Sequence, residues 1–110
     1  MDEKRLAECK CVACQSDAEP LKGESICLYA KQISKDWKVI NEHHLEKDVK
    51  FKNFVDALAF VNKVGELAEA EGHHPDIWLS WGIVQVILYT HKINGLHEND
   101  FILAVKIDQL

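Results

Sequence analysis

The sequence predicts an α+β fold: a four-stranded antiparallel sheet with three helices packed on one face, in the order α-β-β-α-β-β-α. Three observations carry that prediction. The hydrophobic period switches from about 3.6 to 2 and back along the chain, as helix gives way to strand. A 14-residue stretch rich in β-formers, Ile77 to Thr90, is interrupted by Gly82. The 110 residues suit one domain, because cores divide only beyond roughly 250 residues.

Residues 1–20 are polar, carry Cys9, Cys11 and Cys14 and end at Pro20, so they read as a leader, and the domain is expected over 21–110. From Leu21 to Ser34 the apolar positions Leu21, Ile26, Tyr29, Ala30 and Ile33 recur at helical spacing, with Gly23 weakening the first turn. The period then becomes two. Trp37 and Val39 flank Lys38, and Leu45, Val49 and Phe51 alternate with Glu46, Asp48 and Lys50, giving two strands joined near Asn41–His44.

Helical spacing returns over 52–71, where Phe54, Leu58, Val61 and Leu67–Ala68 are expected to form the buried stripe. Gly72 suits a left-handed C-terminal residue, and Pro75 forbids continuation. As one strand, Ile77 to Thr90 would run about 47 Å at ~3.4 Å per residue, too long for a domain whose radius of gyration is near 13 Å. A hairpin turning at Trp81–Gly82 resolves this, with strands near 77–80 and 84–90. Both faces of its second strand are apolar, one for the helices and one for a second subunit. A loop at Asn94–Gly95 leads to a last helix, opened near Glu98–Asp100 and packed by Phe101, Ile102, Val105 and Leu110.

Composition excludes more than it assigns. Thirteen Lys and Arg against 18 Asp and Glu leave a net charge of −5, which argues against nucleic-acid binding. The charged start has no apolar h-region, and no window reaches the roughly 18 apolar residues of a membrane span. Cytoplasm is the expected compartment, where the cysteines are thiols. Cys11-x-x-Cys14 with Cys9 could grip zinc from one side, but a second arm is missing beyond Cys27 or His43–His44, so no metal is expected.

The chemistry points to His73–His74, pinned between Gly72 and Pro75, with Glu69 one turn earlier. Proline pushes His74 towards extended backbone, making a stiff corner. His91 is expected to end the last strand, and Asp100 to begin the last helix. Three readings fit these residues: surface decoration, metal ligation and acid–base work. Adjacent side chains on extended backbone point apart, which makes His73 and His74 poor joint ligands. Imidazole gives and takes protons near neutrality, and a neighbouring carboxylate fixes its tautomer. His43–His44 and His97 read as surface residues.

The pattern Glu69-x3-His73-His74-Pro75-x5-Trp81-x9-His91-x8-Asp100 resembles the signature of the pterin-4a-carbinolamine dehydratases. Similar context flanks it: Asp36–Trp37, the FKNF segment and Gly95–Leu96. The resemblance covers about residues 21–110 and leaves the cysteine leader outside. It implies the same α+β fold, assembly into homodimers or homotetramers, and no cofactor. It also implies a reaction, dehydration of 4a-hydroxytetrahydropterin to quinonoid dihydropterin, which recycles the pterin used by aromatic amino-acid hydroxylases. By similarity His73 and His91 are the acid–base candidates and His74 holds the pterin, while Glu69 and Asp100 orient the imidazoles. Trp81 either lines the pocket against the flat ring or packs the hairpin. Animal members double as a dimerisation cofactor of a homeodomain transcription factor, so the alternative is a protein-binding, coactivator-like module.

Overall fold

The computed structural model describes residues 20–110. Cys9, Cys11 and Cys14, and with them the reading of residues 1–20 as a leader, lie outside the described residues. The element order is α1 (Glu24–Ala30), β1 (Lys38–Ile40), β2 (His44–Lys50), α2 (Phe54–Glu71), β3 (Asp76–Leu79), β4 (Ile83–Leu88) and α3 (Glu98–Asp108). A single 3-10 turn, His91–Ile93, stands between β4 and α3. All strand pairs are antiparallel in the order β1-β2-β4-β3, the α+β arrangement that the change of period implied.

Register follows from the alternation of side chains. Leu45 opposes Leu88 and Val49 opposes Val84. Leu45, Val84, Val86 and Leu88 are fully buried on the face covered by α2 and α3. Fully burying one such side chain contributes about 1.5–3 kcal/mol. Lys47 shares this inner parity, at the margin of the core. Its ammonium lies 2.6 Å from Asp108 Oδ1 and 5.6 Å from the Trp37 ring centre, so an opposite charge and an aromatic face compensate its partial burial. The Trp37 indole N–H donates to the same carboxylate at 3.0 Å, tying the end of α3 to the first hairpin.

α2 begins where Asn53 Oδ1 accepts the Asp56 amide at 2.7 Å, an N-cap that satisfies an otherwise orphaned donor. It ends at Gly72, whose φ of 66° is left-handed. There the Gly72 and His73 amides donate back to Glu69 O and Ala68 O, the pair of bonds of a Schellman motif. The buried face of α2 is Ala57, Val64 and Ala68, with Phe60, Val61 and Leu67 packed beside it. Phe54 and Leu58 from the expected stripe instead face outward with Val55. At 100° per residue, Phe54 and Leu58 lie about 70° and 110° from the line through Ala57 and Val64.

Three further expectations are corrected. α1 is shorter than 21–34: Gly23, at φ 52°, precedes its first residue, and the Leu21 amide is drawn to Leu96 O instead. β4 stops at Leu88, so His91 opens the 3-10 turn and does not end the strand. Leu110 lies beyond α3 and is exposed; Leu103, Ala104 and Ile107 pack that helix alongside Phe101 and Ile102. Among the described residues no helix is long and apolar enough to cross a membrane.

Candidate active site

Four element ends meet at one end of the sheet: the close of α2, the start of β3, the exit from β4 and the start of α3. Together they deliver Glu69, His73, His74, His91 and Asp100 of the motif. Because Gly72 turns the chain out of α2, His73, in the link before β3, reaches Asp100 on α3, while His74 reaches back to Glu69 on α2.

His73 Nε2 lies 2.6 Å from Asp100 Oδ1, and its side chain is only 11% exposed. A carboxylate oxygen accepts, so Nε2 carries the proton and Nδ1 lies outside this contact. Asp100 itself is fully buried. Its other oxygen accepts from the Thr90 hydroxyl at 3.0 Å and from the His97 amide at 2.9 Å. Three donors thus compensate the burial of one carboxylate, as a buried polar group requires. His97 completes a capping box: its Nδ1 accepts the Asn99 amide at 3.2 Å while Asp100 reaches back to the His97 amide. The surface reading of His97 is therefore corrected. It caps α3, a role hidden in the sequence because the usual cap is Ser, Thr, Asp or Asn.

His74 Nε2 donates to Glu69 Oε1 at 2.7 Å, with both side chains largely exposed. Across the exit from β4, His91 Nε2 lies 3.5 Å from Asp76 Oδ1. Asp76 directly follows the His-His-Pro corner, so Pro75 places the carboxylate that faces His91. Thr90 joins the two halves. Its backbone pairs with Gly95, its hydroxyl reaches Asp100, and His91 is the next residue. Each of the three histidines has its own carboxylate, and among the described residues no three His, Cys, Asp or Glu groups are placed to hold a metal.

Trp81 is not brought to this cluster. It sits at the tip of the β3–β4 hairpin, 67% exposed, at the end of the hairpin remote from His73 and His91. Conversely, sequence reasoning missed Asp76, Thr90 and His97, and it treated His43 and His44 as surface. Both of those rings are half-buried. His43 packs against Tyr89 at 4.6 Å between ring centres, and Tyr89 packs against His91 at 4.3 Å. The strand register carries the signal in hindsight: with Leu45 opposite Leu88, His44 and Tyr89 fall side by side on the outer face.

Comparison with known proteins agrees with the motif. The family model for pterin 4 alpha carbinolamine dehydratase matches residues 19–110. A chain of Alkaliphilus metalliredigens that carries the pterin-4-alpha-carbinolamine dehydratase name is 54% identical over 104 residues, 94% of each chain. One of Rubrobacter xylanophilus with the same name is 50% identical over 96% of this chain and 97% of its own. The 104-residue span is longer than 21–110, so the likeness extends into the first 20 residues, beyond the start expected from the motif alone. Among solved structures, the transcriptional coactivator/pterin dehydratase of Brucella melitensis superposes with a TM-score of 0.76 at 26% identity, over 83% of this chain and 97% of that one. A pterin dehydratase-like RuBisCO assembly factor of the α-carboxysome shares the fold alone, at 22% identity and a TM-score of 0.58 over 67% of this chain and 87% of its own. Motif, fold and whole-chain similarity together place this chain in the pterin-4-alpha-carbinolamine dehydratase family.

Proposed function

We propose that the chain dehydrates 4a-hydroxytetrahydropterin to quinonoid dihydropterin by histidine acid–base catalysis, within tetrahydropterin recycling in the cytoplasm. One imidazole gives a proton to the C4a hydroxyl, which leaves as water. Another takes the N5 proton, and the N5 electron pair closes the C4a–N5 double bond. Two imidazoles held in different surroundings suit that division of labour. The observation that carries the reading is this asymmetry: His73 is nearly buried on the enclosed Asp100 carboxylate, whereas His91 and Asp76 are open to solvent. His74, held by Glu69 at the rim, is the residue proposed to hold the pterin.

The competing reading is a protein-binding dimerisation module, a role suggested by the coactivator description of the Brucella melitensis chain. Three histidines, each with a carboxylate partner, favour the enzyme, because a scaffold has no use for them. Purified protein is expected to accelerate loss of the 4a-hydroxyl, followed by ultraviolet absorbance. A rate no higher than the uncatalysed reaction would sink the reading.

Self-association into a homodimer or homotetramer is also proposed. Trp78, Trp81 and Ile83 are exposed together on one hairpin, and an open groove of about 270 Å³ runs between Asp48, Trp78, Ser80 and Ile83. Exposed apolar surface of this kind marks association sites. Light scattering should give a mass of two or four chains, and Trp78→Lys should lower it; a monomeric wild-type protein would refute the assembly.

A further inference from the structure

We propose that Tyr89 is a positioning residue for His91, holding its imidazole through ring contact and itself braced by His43 and His44. The proposal rests on the acid–base reading of His91 given above and adds a residue outside the family motif.

The backbone and the side chain of His91 are restrained to different degrees. Its backbone is fixed, because the Thr90 amide donates to Gly95 O at 2.8 Å and the Thr90 side chain is anchored on Asp100. Asn94, left-handed at φ 50°, closes the turn that follows. The side chain is much freer, at 53% exposure. The carboxylate that faces it, Asp76, is 45% exposed and 3.5 Å away. That distance is too long for a good hydrogen bond, and an ion pair so open to water is a weak restraint. Tyr89 supplies the better-defined contact, its ring centre 4.3 Å from that of His91 with planes at 72°. Edge-to-face geometry of this kind is favoured by the ring quadrupole and resists rotation of either ring.

Tyr89 is in turn packed from the side of β2. The ring centres of His43 and His44 lie 4.6 and 6.5 Å from it. Those two rings are themselves locked. His43 Nε2 donates to Asn94 Oδ1 at 2.9 Å, and the two Nδ1 atoms share a hydrogen bond of 2.9 Å. Asn94 belongs to the turn that carries His91, so the chain of contacts begins and ends on one loop. Four rings, His43 in the β1–β2 turn, His44 opening β2, Tyr89 just past β4 and His91 in the 3-10 turn, thus form a continuous row whose last member is His91.

The test compares Tyr89→Leu, which keeps bulk but removes the ring, with Tyr89→Phe, which keeps the ring. Tyr89→Leu should lower kcat by about 10- to 100-fold, as small misplacements of a reacting group do, with less effect on KM. Tyr89→Phe should restore kcat to near wild type. In the wild-type protein, NMR should show cross-relaxation between the Tyr89 and His91 ring protons. His43→Ala should weaken that signal and lower kcat by a smaller factor. Wild-type kcat in a folded Tyr89→Leu protein, or the absence of Tyr89–His91 cross-relaxation, would overturn the proposal whether or not other variants fold. Failure of the underlying reading is separate, since that appears as wild-type turnover in His91→Ala.

Discussion

Replacing His73 or His91 with Ala is expected to lower kcat for dehydration by about 10²- to 10⁴-fold, the usual worth of a general acid or base. The two variants should differ in what else they disturb. His91 is half-exposed, and its side chain meets the open Asp76 carboxylate and the Tyr89 ring, so its loss should leave stability almost unchanged. His73 donates to a carboxylate with no access to solvent. Its loss leaves one oxygen of Asp100 without its ring donor, which costs about 1–3 kcal/mol. Turnover and urea unfolding measured on the same preparations separate the effects. Wild-type turnover in both variants would remove histidine acid–base catalysis as the mechanism, whatever the stability data show.

The residues that were legible in the sequence share a physical property: their role is fixed by their neighbours in the chain. Gly72 and Pro75 bracket the histidine corner because left-handed φ and a missing N–H are local facts. The alternation through Leu45 and Val49 announced the inner face of β2 for the same reason. The α2 stripe was less legible, since Phe54, Leu58 and Val55 are apolar yet lie outward. Period alone does not say which of two apolar arcs meets the sheet; packing of Ala57 and Val64 against it does. Lys47 on the inner parity was invisible too, because its partner Asp108 lies 61 residues away.

The site divides in the same way. His73, His74, His91 and Asp100 could be named from spacing, but their pairing could not. Asp100 serves His73 across 27 residues, and Thr90 becomes part of the site only because β4 ends beside α3. His43, His44 and Tyr89 meet through strand register, which a one-residue slip would have undone.

Asp100 is where fold and chemistry are hardest to separate, and two substitutions should separate them. Asp100→Ala is expected to destabilise the protein by about 3–5 kcal/mol, because it strands buried donors around a former charge. Those donors are the His73 ring, the Thr90 hydroxyl and the His97 amide, so α2, β4 and α3 would all loosen at one end. Asp100→Asn keeps the volume and one carbonyl oxygen, which can still accept from Thr90 or His97. Its other face is an amide that donates. His73 Nε2 must then accept, and in the neutral ring the proton moves to Nδ1, the nitrogen outside this contact. The Asn variant should therefore stay folded, with a stability loss well below that of Ala, yet lose about 10²-fold in kcat, the cost expected when a reacting group is wrongly presented. Glu at this position should recover little of either property, since the added methylene must be fitted where Asp100 is already fully buried. If Asp100→Asn turned over substrate like the wild type, Asp100 would be a structural cap for α3 alone, and His73 would need no fixed tautomer to do its work.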